Sequence, residues 1–119
     1  MRFFLLGMNK EDILVNIARE YYVSAEEALV KERYNVAVVL YFKAIISLVD
    51  LFLLRNIGET PSSHNSRFRM AEQFKEVYDI IDKDFPFYQN SYVQIMSKEL
   101  AEVLKDDTKF MEEKTKVKL

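Results

Sequence analysis

Residues Tyr34 to His64 read YNVAVVLYFKAIISLVDLFLLRNIGETPSSH, an apolar run that is followed by a glycine, a proline and the only histidine of the chain. A helix with almost no polar face must be covered on all sides, either by neighbouring helices or by lipid. Lys43 and Asp50 lie near its centre, and the cost of placing them in a bilayer roughly cancels the gain from the apolar side chains. The stretch therefore predicts the central helix of a small protein core rather than a membrane span.

The composition favours one helical domain. The chain has 119 residues, 50% of them hydrophobic, and only 2 Gly and 2 Pro are available for tight turns. The net charge of -2 gives no overall field that could hold a nucleic acid. The absence of Cys excludes disulfides and thiolate chemistry and fits a reducing compartment. We expect a single all-α domain, residues 1–119, that is cytoplasmic, lies outside membranes and carries no strong nucleic-acid signal.

Apolar periodicity predicts a first helix from Asn9 to about Glu32, capped by the Asn9 side chain. A short connection leads into the second, central helix, which ends just before Gly58 because glycine suits a left-handed cap. Residues 1–8 form an apolar N-terminal extension whose apolar run is too short for a secretory signal. Met8 is an alternative start of the chain.

The second half of the chain predicts two further long helices. Ser63 or Ser66 caps the third helix, and Pro86 ends it. Asn90 or Ser91 then starts a fourth helix. The residues of this helix that we expect to face inward are Tyr92, Met96, Leu100, Val103 and Leu104.

The charged C-terminal sequence DDTKFMEEKTKVKL either continues the fourth helix or forms a short fifth one, and it ends in a frayed tail at about residues 115–119. Short connections make consecutive helices antiparallel. The sequence therefore predicts an antiparallel four-helix up-and-down bundle, with or without a short fifth C-terminal helix.

The central helix has one polar seam. Lys43, Ser47 and Asp50 stand at positions i, i+4 and i+7, which places them above one another on the same helix face. Two interpretations stay open at this point. The seam is either a line of surface or paired charges with a structural role, or one polar wall of a site.

Basic residues gather around the loop that follows the central helix. Arg55 lies in the last turn of that helix, and His64, Arg67 and Arg69 lie at the start of the third. The free N-H groups of a helix N-terminus attract anions, and guanidinium groups strengthen that attraction. We take these four residues, with Tyr92 as a neighbour, as candidate ligand-binding residues. Each also has a structural interpretation as a cap, a packing residue or a solvated charge.

Motifs of catalysis and metal binding are missing from the sequence. One histidine cannot build a His-rich metal site, and there is neither a Gly-rich phosphate loop nor a GxSxG elbow. Adjacent acidic residues such as Glu26 and Glu27 point about 100° apart on a helix and do not converge. The sequence therefore predicts no metal, no cofactor and no catalytic residue.

A family resemblance joins these observations. The chain resembles the HEPN domain family (higher eukaryotes and prokaryotes nucleotide-binding) over residues 10 to about 115, and the residues that carry the likeness, in order, are Ala37, Tyr41, Lys43, Ala44, Asp50, Leu53, Gly58, Pro61, His64 and Tyr92. The resemblance implies an antiparallel four-helix bundle with a short extra helix, frequent homodimers, and stand-alone prokaryotic or archaeal members. It also implies a frequent link to minimal nucleotidyltransferases, and ribonuclease activity without metal in some relatives.

The chain departs from the ribonuclease branch of that family, which places an Arg ahead of the His with four to six residues between them. Ile57, Gly58 and Glu59 occupy those positions before His64. Three functions stay open. The preferred one is a non-catalytic, dimerising module that binds a nucleotide or another anion and acts as the partner of a nucleotidyltransferase, as in a toxin-antitoxin pair. The alternatives are a diverged ribonuclease toxin and a helical protein-interaction module without a ligand.

Overall fold

The computed structural model of the protein describes residues 8–119. The described residues form five helices and no strand, which confirms the all-α class. The helices are α1 (Lys10–Val30), α2 (Tyr34–Ile57), α3 (His64–Ala71), α4 (Lys75–Asn90) and α5 (Lys98–Thr115). The predicted apolar extension lies outside the described residues, except for its last residue.

The ends of α1 and α2 follow from local sequence signals. The side chain of Asn9 caps α1 by accepting a hydrogen bond of 2.8 Å from the N-H of Asp12. Gly58 ends α2 in the left-handed conformation, at a φ of 91°, and its N-H donates to the carbonyl oxygen of Leu54. Residues with a side chain adopt this conformation at a cost of about 1 to 2 kcal/mol, which is why glycine stands there.

Helix α2 is the centre of the core. Its fully buried large side chains are Tyr41, Phe42, Ile45, Leu48, Leu51 and Leu53. By length and composition it could cross a membrane, with a mean hydropathy of 2.3 in its most apolar window, but 67% of that window is buried inside the protein. Helices α1, α4 and α5 all pack against it, so neighbouring helices cover most of its apolar surface.

Side-chain contacts show that α1 and α2 run in opposite directions. The hydroxyl of Tyr41, early in α2, donates to Glu26, late in α1, at 2.6 Å. Arg55, in the last turn of α2, pairs with Glu11 in the first turn of α1 at 3.0 Å. The turn at residues 31–33 thus makes a helical hairpin, as predicted, but it precedes the predicted connection at residues 33–35, and Asn35 lies inside α2 instead of capping it.

The directions of α4 and α5 follow in the same way. Phe52 near the end of α2 packs edge-on against Phe74, just before α4. Phe42 near the start of α2 stacks on Tyr88 near the end of α4, with ring centroids 4.7 Å apart. Helix α4 therefore runs antiparallel to α2. Helix α5 runs parallel to α2, since its last residue, Thr115, accepts a hydrogen bond from Arg55 near the end of α2.

The third helix differs from the prediction in two ways. It is divided into α3 and α4 by a break at residues 72–74, which places the ring of Phe74 against that of Phe52. Pro86 does not end a helix but lies inside α4. Proline costs a helix about 3 kcal/mol, and here aromatic packing on both sides opposes that cost, because Phe85 contacts Phe68 and Tyr88 stacks on Phe42.

The start of the last helix was also predicted too early. Ser91 follows α4, and α5 begins only after Ser97, whose side chain accepts from the N-H of Leu100. Tyr92 therefore lies in the connecting turn and is 67% exposed instead of facing inward. The side chain of Asn35 holds this connection, since it donates to two carbonyl oxygens within it and accepts from one N-H.

The C-terminal residues continue α5 to Thr115 without a separate fifth C-terminal helix. The residues beyond it are held in place rather than frayed. Val117 donates its N-H to the carbonyl oxygen of Glu112 at 3.0 Å, and Leu119 donates to the carboxylate of the same residue at 2.6 Å. Both apolar side chains also pack against the core.

Candidate functional site

A cavity of about 260 Å³ opens against the polar seam of α2. Its walls come from α1, α2, α4 and the first residue of α3. The lining residues are Leu14, Ile17, Tyr21, Phe42, Lys43, Ile46, Ser47, Asp50, His64 and Tyr88. The cavity thus combines apolar and aromatic walls with a few polar groups, which is the usual composition of small-molecule sites.

The structure brings Lys43, Ser47 and Asp50 together on this cavity, as their helical spacing predicts. Their roles differ. Ser47 is buried, and its hydroxyl donates to the carbonyl oxygen of Leu14 at 2.7 Å. This bond fixes α1 against α2, so the proton of Ser47 is already used within the protein. An oxygen lone pair of the hydroxyl is what remains for a ligand.

Asp50 forms a two-pronged ion pair with Arg67 across the gap between α2 and α3. The Nε of Arg67 donates to Oδ1 of Asp50 at 2.7 Å, and Nη2 donates to Oδ2 at 3.0 Å. The side chain of Arg67 is only 10% exposed to solvent, and that of Asp50 only 13%. Such fork-to-fork geometry is the strongest form of this pair. It neutralises Asp50 and pins α3 onto the face of α2.

A second contact of Arg67 orients His64. Nη1 of Arg67 lies 2.9 Å from Nδ1 of the imidazole. Because a guanidinium has donors and no acceptor, Nδ1 must accept this hydrogen bond, and the ring proton of the neutral imidazole sits on Nε2. The ring also packs against Phe85, with centroids 4.8 Å apart. His64 therefore offers a fixed N-H donor rather than a free imidazole.

Local sequence places His64 at the first position of α3. Ser63 is the N-cap, and its hydroxyl accepts from the N-H of Ser66 while the hydroxyl of Ser66 accepts from the N-H of Ser63. This reciprocal capping box defines where the helix begins. Together with the left-handed end of α2 at Gly58, it turns the chain back so that the imidazole reaches Phe42.

Charge and burial keep His64 neutral. Partial burial lowers the pKa of its imidazole, and the positive charges of Arg67 and Lys43 lower it further, while Asp50 opposes them. The ordinary pKa of histidine is about 6.5, so a lowered value leaves the ring uncharged at pH 7. With Asp50 and Arg67 cancelling each other, the net charge of the cavity at that pH is the single positive charge of Lys43.

The ammonium group of Lys43 lies between two tyrosine rings. It is 5.9 Å from the ring centroid of Tyr21 in α1 and 5.7 Å from that of Tyr88 in α4. Both distances fall within the range of cation–π attraction. None of the ion pairs formed by residues 8–119 includes Lys43. The ammonium is thus positioned by aromatic rings and carries an unneutralised charge.

The structure separates the other candidate residues from this cavity or places them at its edge. Arg55 pairs with Glu11 and donates to the carbonyl oxygen of Thr115, and it does not line the cavity. Arg69 is exposed and does not line it either. Tyr92 reaches the site indirectly, because its hydroxyl lies 3.1 Å from that of Tyr88.

Sequence reasoning missed both tyrosines of the cavity. Tyr21 stood in the apolar stripe of α1, where it gave the same signal as a core residue. Tyr88 was missed because the predicted helix ended at Pro86, which left Tyr88 outside any helix that could form a wall of the site. A further signal was available for Tyr21, since its spacing of four and seven residues from Ile17 and Leu14 puts all three on one helix face.

The residues 8–119 contain no group of three or more His, Asp or Glu side chains that could hold a metal ion. Comparison with protein-family models, with curated proteins and with solved structures gives no match. Conclusions about function therefore depend on the geometry of the cavity and on the chemistry of its residues.

The first prediction concerns the Asp50–Arg67 pair. Arg67→Ala leaves a largely buried carboxylate without its partner, and we expect the free energy of unfolding to fall by about 3 kcal/mol, the lower end of the range for broken buried pairs because some exposure remains. Urea denaturation at pH 7 measures it.

The control is Arg69→Ala on the same helix, where the side chain is exposed. We expect that change to stay within about 0.5 kcal/mol. In the double variant Asp50→Asn, Arg67→Ala, part of the loss should be recovered, because no charge is then left unpaired. Equal effects of Arg67→Ala and Arg69→Ala contradict the assignment.

Proposed function

We propose that the protein is a non-catalytic, HEPN-like module that binds a nucleotide in the cavity between α1, α2 and α4. In this proposal the four long helices form the antiparallel up-and-down bundle of that family, and α3 is its short extra helix. The observation that carries the proposal is the unneutralised ammonium of Lys43, held between two tyrosine rings on the wall of an otherwise mainly apolar cavity.

The chemistry of the walls favours a ligand with an anionic group and an aromatic ring. The ammonium of Lys43 and the Nε2-H of His64 are donors suited to a phosphate. Tyr21, Tyr88 and Phe42 offer rings on which a base can stack, an interaction worth about 1 to 3 kcal/mol per base. A nucleotide combines both features, whereas inorganic phosphate or an apolar molecule uses only one of them.

The size of the cavity favours a mononucleotide. Its volume of about 260 Å³ is just below the range of about 300 to 1,000 Å³ typical of ligand sites. A net positive charge of one at pH 7 also suits a single phosphate group better than a polyanion. The proposal therefore excludes a long nucleic acid as the main ligand.

The family assignment rests on the loop that builds the site. Gly58, Pro61 and His64 keep the order of the HEPN loop, and the left-handed glycine and the capped helix start turn the chain so that His64 reaches the cavity. By the same resemblance we propose a cytoplasmic protein that needs no cofactor and acts as the partner of a minimal nucleotidyltransferase. The cavity then presents or senses the nucleotide that such an enzyme uses.

The second prediction tests the ligand. Lys43→Met keeps the length and apolar contacts of the side chain and removes its charge. Loss of one charge-assisted hydrogen bond, about 1.5 to 3 kcal/mol, should weaken binding of adenosine 5′-monophosphate by about 10- to 150-fold. Isothermal titration calorimetry measures it, with adenosine and inorganic phosphate as partial ligands.

A matched control is Lys109→Met. Lys109 also lies over a tyrosine ring, that of Tyr22 at 5.6 Å, but it does not line the cavity. Its replacement should leave the affinity unchanged. The proposal fails if the wild-type protein binds no nucleoside monophosphate, diphosphate or triphosphate, and it also fails if both lysine variants lose affinity equally.

We further propose a homodimer. Large apolar side chains remain exposed near one end of the described protein, namely Val30, Val36, Val93 and Ile95, with exposures of 83%, 48%, 80% and 95%. Exposed clusters of this kind commonly mark contact surfaces.

The third prediction is a molecular mass of two chains by static light scattering at micromolar concentration, and a reduced dimer fraction for Ile95→Asp. A monomer at every accessible concentration contradicts it.

A diverged ribonuclease is the second candidate, and one observation favours it. His64 is neutral and lies beside Lys43, and its imidazole can act as a general base once Nδ1 gives up the hydrogen bond that it accepts from Arg67. The resemblance argues against it, since the Arg expected before the His is missing.

The fourth prediction is that purified protein cleaves single-stranded RNA no faster in EDTA than a His64→Ala variant does. Cleavage that disappears in the variant overturns the non-catalytic proposal. If the protein shows neither nucleotide binding nor RNA cleavage, the third alternative remains, an interaction module without a ligand.

A further inference from the structure

Two aspartates meet between α4 and α5, away from the cavity. Asp84 has no exposed surface, and neither oxygen of its carboxyl group accepts a hydrogen bond from an N-H or O-H group of residues 8–119. Its neighbour is Asp107, 14% exposed, whose carboxyl group approaches the same lysine. The ammonium of Lys83 lies 2.9 Å from Oδ2 of Asp107 and 4.0 Å from Oδ1 of Asp84.

A single proton shared by the two carboxyl groups removes the repulsion between them. Two carboxylates in contact repel each other, and the half-exposed Lys83 supplies charge for only one of them. A buried carboxylate without hydrogen bonds is also very costly. When Asp84 is protonated, it becomes a hydrogen-bond donor, and Asp107 is the acceptor beside it. Burial and the neighbouring Asp107 accordingly raise the pKa of Asp84 to about 9.

We propose that Asp84 and Asp107 form a proton-dependent clamp that holds α4 against α5 when the pair shares one proton and loosens when that proton is lost.

Charged and titratable groups of the surrounding elements fit this assignment. Lys83 from α4 is the charge that opposes the raised pKa of Asp84, and Asp106 from α5 acts on Lys83. On α2, the carbonyl oxygen of Tyr41 accepts from Thr108, the neighbour of Asp107 in the chain, and the hydroxyl of Tyr41 donates to Glu26. On α3, His64 contacts Phe85, next to Asp84, but is neutral.

The clamp also reaches the cavity, a step that rests on the proposed function. Phe85 follows Asp84 directly and contacts the imidazole of His64. Tyr88, one helical turn further, lines the cavity, stacks on Phe42 and faces the ammonium of Lys43. Loosening of α4 therefore displaces the wall on which the base of a nucleotide stacks, and binding should weaken as the pH rises.

The sign of the pH dependence follows from linkage. An aspartate in the unfolded chain has a pKa of about 3.9. Between that value and the raised pKa of Asp84, the folded protein holds a proton that the unfolded chain has lost, so stability falls as the pH rises. For one proton, the folding equilibrium constant falls by up to about tenfold per pH unit. Above the raised pKa both states have lost the proton, and the dependence ends.

The fifth prediction is tested by urea denaturation from pH 5 to pH 8. We expect the folding equilibrium constant of the wild type to fall over this range by at least tenfold more than that of Asp84→Asn. The amide of this variant keeps a hydrogen-bond donor toward Asp107 but has no titrating proton. Asp107→Asn should flatten the dependence as well. The control Asp82→Asn, exposed on the same helix, should follow the wild type. Equal pH dependence of the wild type and Asp84→Asn overturns the clamp.

Two further measurements separate the clamp from the proposed ligand. Hydrogen exchange of the α4 amides, corrected for its intrinsic pH dependence, should speed up between pH 7 and pH 9 in the wild type but not in Asp84→Asn, and equal exchange overturns the loosening of α4. Affinity for adenosine 5′-monophosphate should fall over the same range, where its phosphate no longer titrates, and fall less in Asp84→Asn. An equal loss of affinity in the wild type and in Asp84→Asn overturns the link between the clamp and the cavity. Absence of nucleotide binding at either pH overturns the proposed function, while denaturation and exchange still decide the clamp.

Discussion

The ion pair between Asp50 and Arg67 is the interaction on which the candidate site depends. The short helix α3 has few residues with which to bury itself, and its contact with the rest of the protein is limited. The bidentate pair, at 2.7 and 3.0 Å, supplies a fixed attachment to α2. The same guanidinium then holds His64 by its third nitrogen. Orientation of the imidazole, position of α3 and neutralisation of Asp50 are consequences of one side chain.

Burial of α2 explains why a polar seam can stand in the middle of an apolar helix. Helices α1, α4 and α5 cover most of its surface, and the seam points toward the cavity bordered by α1 and α4. Each polar residue of the seam is satisfied differently: Ser47 by a backbone oxygen of α1, Asp50 by Arg67, and Lys43 by tyrosine rings. Of the three side chains, only that of Lys43 makes no hydrogen bond or ion pair with residues 8–119, which is why the ligand proposal depends on it.

Sequence patterns predicted the features that depend on local chemistry. The apolar run of α2, the glycine that ends it and the serine that caps α3 each act within a few residues of where they stand. The alignment of Lys43, Ser47 and Asp50 also follows from helical spacing alone. Together these features predicted the all-helical class, and they placed the seam and His64 without showing that the two meet.

Features that depend on distant packing could not be predicted in this way. Pro86 remains inside α4 because aromatic rings from α2 and α3 pack on both sides of it, and nothing in its own sequence neighbourhood indicates those partners. Arg67 and Arg69 look alike in the sequence. The structure distinguishes them, because Arg67 finds the carboxylate of Asp50, 17 positions earlier, and Arg69 stays exposed. Arg55 likewise turns to Glu11 and away from the cavity.

The two internal aspartates show how burial and partners together decide the state of a carboxyl group. Asp50 lies against a guanidinium that matches both of its oxygens, and the ion pair between them holds α3. Asp84 is more deeply buried and has another acid as its contact, with one half-exposed lysine shared between the two. The same residue type is therefore paired with a cation in one place and protonated beside a second acid in the other. Asp50 lines the cavity, and Asp84 lies one helical turn from Tyr88, which lines it as well, so both aspartates stand next to walls of the same site.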